Sequence, residues 1–220
     1  MQWARTTKSK LKEGVTVKTF EINGHIVEFI PETHQYLVDG VLTPCVSNIL
    51  AYKFNDYGSV SQEVLQRASE RGTELHEAIE AYERDGTTSE LREFKNYLFL
   101  KKHHGFTNIA NEVPVIYEKD GTVLFVGTLD QVIEMDGRCG INDFKRVSAP
   151  NKQKIAYQLN FYKLAYEQSY NKKIDFLSYT HLRETVRKFN PLPINEEVTL
   201  NLLNEFLESE KRNGSIDESN

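Results

Sequence analysis

Residues 127–147, GTLDQVIEMDGRCGINDFKRV, set one acid on each of two consecutive apolar runs, and the second run carries a lysine two residues past its acid. Residues 123–134 are β-branched and apolar, Met135, Asp136 and Gly137 supply a turn, and residues 138–147 return. The spacing predicts a β-hairpin. Successive strand side chains point to opposite faces, so Asp143 and Lys145 share one face while Phe144 enters the opposite layer. Asp130, on the neighbouring strand, reaches the carboxylate face as well.

Two carboxylates held close repel, and one takes up a proton unless a cation sits between them. A hard divalent ion such as Mg²⁺ or Mn²⁺ removes that cost by accepting both as oxygen ligands. A lysine beside the ion orients a water or stabilises charge on a transferring phosphoryl group. The set suits phosphodiester hydrolysis. Taken alone, a D-x-K string is more often a solvated strand end, so the weight falls on the residues that accompany it.

Upstream, residues 15–43 alternate with the strand period around two turns, Asn23-Gly24 and Asp39-Gly40. A short helix follows Pro44, with Ser47 as its expected cap. Over residues 61–84 the period becomes helical, and Leu65, Ala68, Gly72, Leu75, Ile79 and Tyr82 form one stripe. A glycine inside a helix costs up to about 1 kcal/mol against alanine, which predicts a close approach at Gly72. His76 lies beside the stripe, either at the edge of the carboxylate face or as an ordinary core or surface histidine.

A second helix is expected over 89–103, then a strand with Glu112 at its start, where Pro114 predicts an edge position or an irregularity. A helix over 151–170 projects Gln158 and Tyr162 together. They either hold a phosphate and position the lysine, or lie at the rim and in the core. A strand at 174–182 pairs with 186–189, the last amphipathic helix covers 195–211, and 213–220 is expected to be a disordered tail.

Composition leaves this reading open. A hydrophobic content of 39% and a charged content of 27% are those of a globular protein, and 220 residues suffice for a core. No apolar run reaches membrane-spanning length, and the polar first dozen residues lack a signal core and are expected to be a frayed end, so a cytoplasmic location is expected. Cys45 and Cys139 cannot supply a four-cysteine cluster, which argues against an iron–sulfur cluster or a structural zinc. The net charge of -5 weighs against a nucleic-acid partner. Charges beyond a Debye length of about 8 Å are screened, however, and Arg138, Lys145, Arg146, Lys152 and Lys154 concentrate around Asp143.

The ordered set RGTELHEAIE, NEVPV, GTLD, INDFK and QLNFY, over residues 71–162, resembles the RecB-like branch of the PD-(D/E)XK nuclease superfamily, which includes phage-encoded recombination exonucleases. HQYLVDGVLTPCVSNIL is similar to the lead-in of its phage members. The resemblance implies an α/β fold, a mixed central β-sheet flanked by helices (a restriction-endonuclease-like core) over 58–212 with an N-terminal β-hairpin extension over 1–57. It implies His76, Asp130 and Asp143 as ligands of Mg²⁺ or Mn²⁺, with the Phe144 carbonyl as a further ligand, and Lys145 as the catalytic lysine. Glu112 matches the additional acid, and Gln158 and Tyr162 the motif helix. Arg146, in the basic stretch around Asp143, is expected from its charge to bind substrate with them. The cysteines that hold an iron–sulfur cluster in some relatives are missing. The function implied is a DNA exonuclease in phage or bacterial recombination, repair or processing, in the bacterial or phage-infected cytoplasm. An endonuclease or a binding module on the same fold is the alternative. Partners implied beside DNA are a single-strand annealing or recombination protein and, as in ring-forming relatives, further copies of the chain.

Overall fold

The computed structural model describes residues 6–12, 15–54 and 62–217. Strands β1 (Thr6–Lys12), β2 (Val15–Ile22), β3 (His25–Ile30), β4 (Gln35–Val38) and β5 (Val41–Thr43) form an antiparallel meander. The Asn23-Gly24 and Asp39-Gly40 turns have positive φ at both residues, the backbone that a tight two-residue hairpin loop demands. The sheet exceeds expectation, because residues 6–12, read as a frayed end, pair with β2 from Thr6↔Phe20 to Lys12↔Val15. Ladder bonds are made by the backbone, so polar composition hides such a strand.

Helix α1 (Val46–Lys53) follows. Its N-cap is Cys45 and not Ser47, which falls within the first turn; Asn48 Oδ1 accepts the Cys45 backbone N–H at 2.8 Å. Helices α2 (Gln62–Asp85) and α3 (Arg92–His104) lead into β6 (Thr107–Lys119), β7 (Thr122–Met135) and β8 (Arg138–Lys145). Helix α4 (Lys152–Tyr170) crosses to β9 (Phe176–Arg183), and β10 (Val186–Leu192) and α5 (Glu196–Asp217) complete the chain. The expected tail at 213–220 is therefore helical as far as Asp217, and 218–220 lie outside the described residues.

The second sheet runs β10-β9-β8-β7-β6. Its neighbours are antiparallel except β8 and β9, which are parallel. A parallel pair needs a long crossover, and α4 supplies it. Pro114 lies on β6, an edge strand, as its missing N–H predicts. This is the mixed sheet flanked by helices that the sequence implied.

Helices cover both faces. On one, Ile49 of α1, Ile155 and Leu159 of α4 and Leu203 of α5 are buried with Val113, Leu129, Ile141 and Leu177. On the other, Leu75 and Ile79 of α2 and Phe94 and Tyr97 of α3 meet Ile133, Phe144 and Leu182. The N-terminal sheet buries Phe20, Val27 and Tyr36 against Ile116 of β6 and Val126 of β7. Full burial of each large apolar side chain contributes about 1.5–3 kcal/mol. The close approach expected at Gly72 is not there, since a Cβ would meet nothing within 4 Å. It occurs at Gly127, where a Cβ would lie 2.8 Å from Tyr162 Cε1, and at Gly140, 2.3 Å from the Phe176 ring. No helix among the described residues is long and apolar enough to cross a membrane.

Candidate active site

Three acids come from three adjacent strands at a level where the sheet is irregular. Asn111 pairs with Gln131 and Val113 with Leu129, leaving Glu112 and Asp130 opposite one another outside the ladder. The β7–β8 ladder stops at Gln131↔Asn142, one step short of Asp130 and Asp143. Alternation fails here as well. Leu129 and Val132 both face the α4 side, although their odd separation would put them on opposite faces. Glu112, expected at the start of its strand, sits in mid-strand with φ 49°, a left-handed backbone that costs a side-chain-bearing residue about 1–2 kcal/mol.

At this break both carboxylates reach α2. His76 Nδ1 lies 3.6 Å from Glu112 Oε1, and Nε2 lies 3.7 Å from Asp130 Oδ2. One ligand atom from each of the three residues falls within 4.8 Å of the others. Burial lowers the pKa of His76, but Asp130 and Glu112 outweigh it and hold the value up at about 9. A protonated ring then stands as the counter-charge between two acids, a place whose donors also fit a hard divalent cation. Asp130 Oδ2 accepts the Phe144 backbone N–H at 2.8 Å, which ties the cluster to β8, and the Phe144 ring meets His76 edge-on at 5.3 Å.

Asp143 is 1% exposed, and its Oδ2 lies 2.6 Å from Lys145 Nζ. Neither of its oxygens has a well-directed hydrogen bond, so the contact with Lys145 is charge pairing. Burial drives its pKa up to about 6 while Lys145 opposes the rise and Asp130 adds to it. Lys145 Nζ donates to Gln158 Oε1 at 3.2 Å, so Gln158 orients the lysine. The tight trio thus contains Glu112 where the resemblance named Asp143, and Asp143 stands beside it, paired to the lysine.

The sequence pattern of the PD-(D/E)XK nuclease superfamily matches residues 53–213. The chain belongs to that superfamily. Among curated proteins none matches the chain. A solved structure described as the crystal structure of SSO0001 is 14% identical, covers 76% of this chain and 75% of that one, and superposes with a TM-score of 0.41.

Two expected substrate contacts of the nuclease are engaged elsewhere. Arg146 Nη2 pairs with Glu93 Oε1 at 2.6 Å, and Glu93 is 5% exposed, so the guanidinium neutralises a buried acid of α3. Tyr162 is buried over Gly127, a core position and not an exposed stacking platform.

Sequence reasoning missed a buried polar chain directly beneath the acids. Ser178 and Thr180 donate to Asn142 Oδ1 at 3.1 and 2.8 Å, and Asn142 donates to Gln131 Oε1 at 3.1 Å. Gln131 donates to Tyr97 at 2.7 Å, and Tyr97 donates to Glu83 at 2.6 Å. Gln131 and Asn142 are fully buried and flank Asp130 and Asp143, so this chain fixes the register from which both acids emerge. The available signal was the pair of amides beside the acids, DQ and ND, on otherwise apolar strands.

Proposed function

We propose that this PD-(D/E)XK nuclease is a divalent-metal-dependent DNA exonuclease of the RecB-like branch, acting in phage or bacterial recombination, repair or processing. The single observation that carries the reading is the convergence of His76, Glu112 and Asp130 beside the buried Asp143–Lys145 pair. His76, Glu112 and Asp130 would hold Mg²⁺ or Mn²⁺, with Asp143 and the Phe144 carbonyl as the further donors that the resemblance names. When bound, the ion polarises a phosphate oxygen and lowers the pKa of water.

The chain's own residues do the rest. Lys145, held between Asp143 and Gln158, presents an ammonium whose N–H groups orient the attacking water and stabilise charge developing on the phosphate. The water loses one proton to solvent as its oxygen bonds to phosphorus, the P–O bond to the leaving sugar breaks, and the leaving oxygen takes up a proton, so one water is consumed for each bond cut. Such hydrolysis asks for about 20 kcal/mol of barrier reduction, so ionic charge, the ammonium and fixed orientation act together. The described residues before α2 are read as an extension on this catalytic core, and the branch adds a recombination protein and copies of the chain as partners beside DNA.

The test is digestion of end-labelled linear and covalently closed circular DNA with Mg²⁺, Mn²⁺ or chelator. Metal-dependent release of nucleotides from linear DNA with the circle intact supports the reading. Cutting of the circle replaces it with an endonuclease, and failure to bind Mn²⁺ or cut either substrate removes it.

A further inference from the structure

Cations and aromatic rings line α3 and the edge strand β10, outside the acid cluster. The Arg187 guanidinium lies 3.6 Å from the centroid of the Phe99 ring, and that ring is stacked with His103 at an interplanar angle of 11°. Phe99 is 44% exposed. Lys102, Arg183, Arg187 and Lys188 are all exposed, and none pairs with a carboxylate among the described residues. One acid, Glu184, lies in the turn between β9 and β10.

The register connects this edge to the candidate active site. Lys145 pairs with His181 across the parallel ladder, and His181 pairs with Lys188 across the next. Cross-strand partners share a face and strands lie about 4.8 Å apart, so the Lys188 backbone is about 10 Å from that of Lys145, on the same face. Arg187, one residue along, points to the other face, where it covers Phe99 of α3. Strand β10 is the open edge of the sheet. Its two neighbouring cations therefore straddle that edge, one on the side of the catalytic lysine and one on the side of α3.

We propose that this edge is a second DNA contact, a phosphate-binding track that leads the strand away from Lys145; the choice of DNA as its ligand rests on the nuclease reading. In a chain of net charge -5, exposed cations without acidic partners leave a local positive field. Stacking on Phe99 holds the guanidinium flat, so less side-chain freedom is lost when it takes a phosphate oxygen. Screening limits the benefit to ligands that touch the edge itself.

The experiment is an anisotropy titration of a labelled long oligothymidylate, in EDTA, over a series of KCl concentrations. Arg187→Ala/Lys188→Ala should weaken binding roughly tenfold and lower the slope of log K against log salt by about 1.4, for two lost single-strand phosphate contacts. Arg187→Lys should retain the slope. Hydrolysis of a dinucleotide too short to reach the edge should be unchanged. Unaltered affinity and slope in the double variant would overturn the track, even in a protein that cuts DNA. Parallel loss of dinucleotide hydrolysis would overturn it too, by placing the defect in the catalytic centre. Edge-dependent binding by a protein that cuts nothing would leave the track standing and the hydrolytic reading refuted.

Discussion

Lys145 Nζ stands 2.6 Å from Asp143 Oδ2, two residues back along the same strand. The carboxylate is 1% exposed and the ammonium 22%, so a buried acid has its counter-charge at the border with solvent. Lys145→Met removes that counter-charge, so the Asp143 pKa, already raised by burial, rises further. Nuclease activity should fall at least about 100-fold with the circular dichroism spectrum unchanged. A rate on linear DNA equal to that of the unaltered protein would refute the role given to the lysine.

Glu112 stores backbone strain at φ 49°. Glycine adopts that conformation freely, whereas alanine keeps the strain and also loses the carboxylate. Metal-free Glu112→Gly should melt above Glu112→Ala, by an amount corresponding to about 1 kcal/mol. Both variants should bind Mn²⁺ more weakly than the unaltered protein. Calorimetry of the two variants, with and without Mn²⁺, separates strain from ligation.

Gly72 and Gly140 respond oppositely to alanine. A Cβ at Gly72 meets nothing within 4 Å, so Gly72→Ala should stabilise α2 by up to about 1 kcal/mol. At Gly140 three atoms of the Phe176 ring lie within 2.6 Å of the same Cβ, so Gly140→Ala should cost about 1–3 kcal/mol. Denaturant midpoints for the two proteins should lie on either side of the unaltered one.

His25 meets Asp39 Oδ2 at 2.6 Å within the N-terminal sheet and ties that sheet to β6 through Glu118 Oε2 at 3.3 Å. The hydrogen bond with Asp39 is the main reason its pKa is raised above 6.5; burial opposes the rise and Glu118 adds to it. The hydrogen bond with His25 in turn lowers the pKa of Asp39. The folded state thus binds the imidazole proton more tightly than the unfolded chain does. Its contribution is complete below about pH 6.5 and fades as pH rises through the raised value, while in acid the Asp39 side is lost as its carboxylate protonates. The melting temperature lost in His25→Gln should therefore be larger near pH 6 than near pH 9. A difference that does not change with pH would show that the contact is not ionic.

The pairing of Arg146 shows where sequence reading stops. Its place in a basic stretch suggested a phosphate contact, yet it neutralises Glu93, whose burial only the packing of α3 creates. The strand position of Asp143 put it beside Lys145, as the fold shows, but only the fold brings Glu112 to His76.

What the sequence by itself determined is local. Alternation and Asp-Gly or Asn-Gly turns specified the hairpins, and helical periodicity specified α2 and α4. The D-x-K string put Asp143 and Lys145 on one face, because a strand repeats every two residues. The tertiary structure decided which distant groups share a space. The kink at Glu112 and Asp130, the amides beneath the acids and the tight fits at Gly127 and Gly140 join residues far apart in the chain. Their energies come from burial and contact, which no periodicity records.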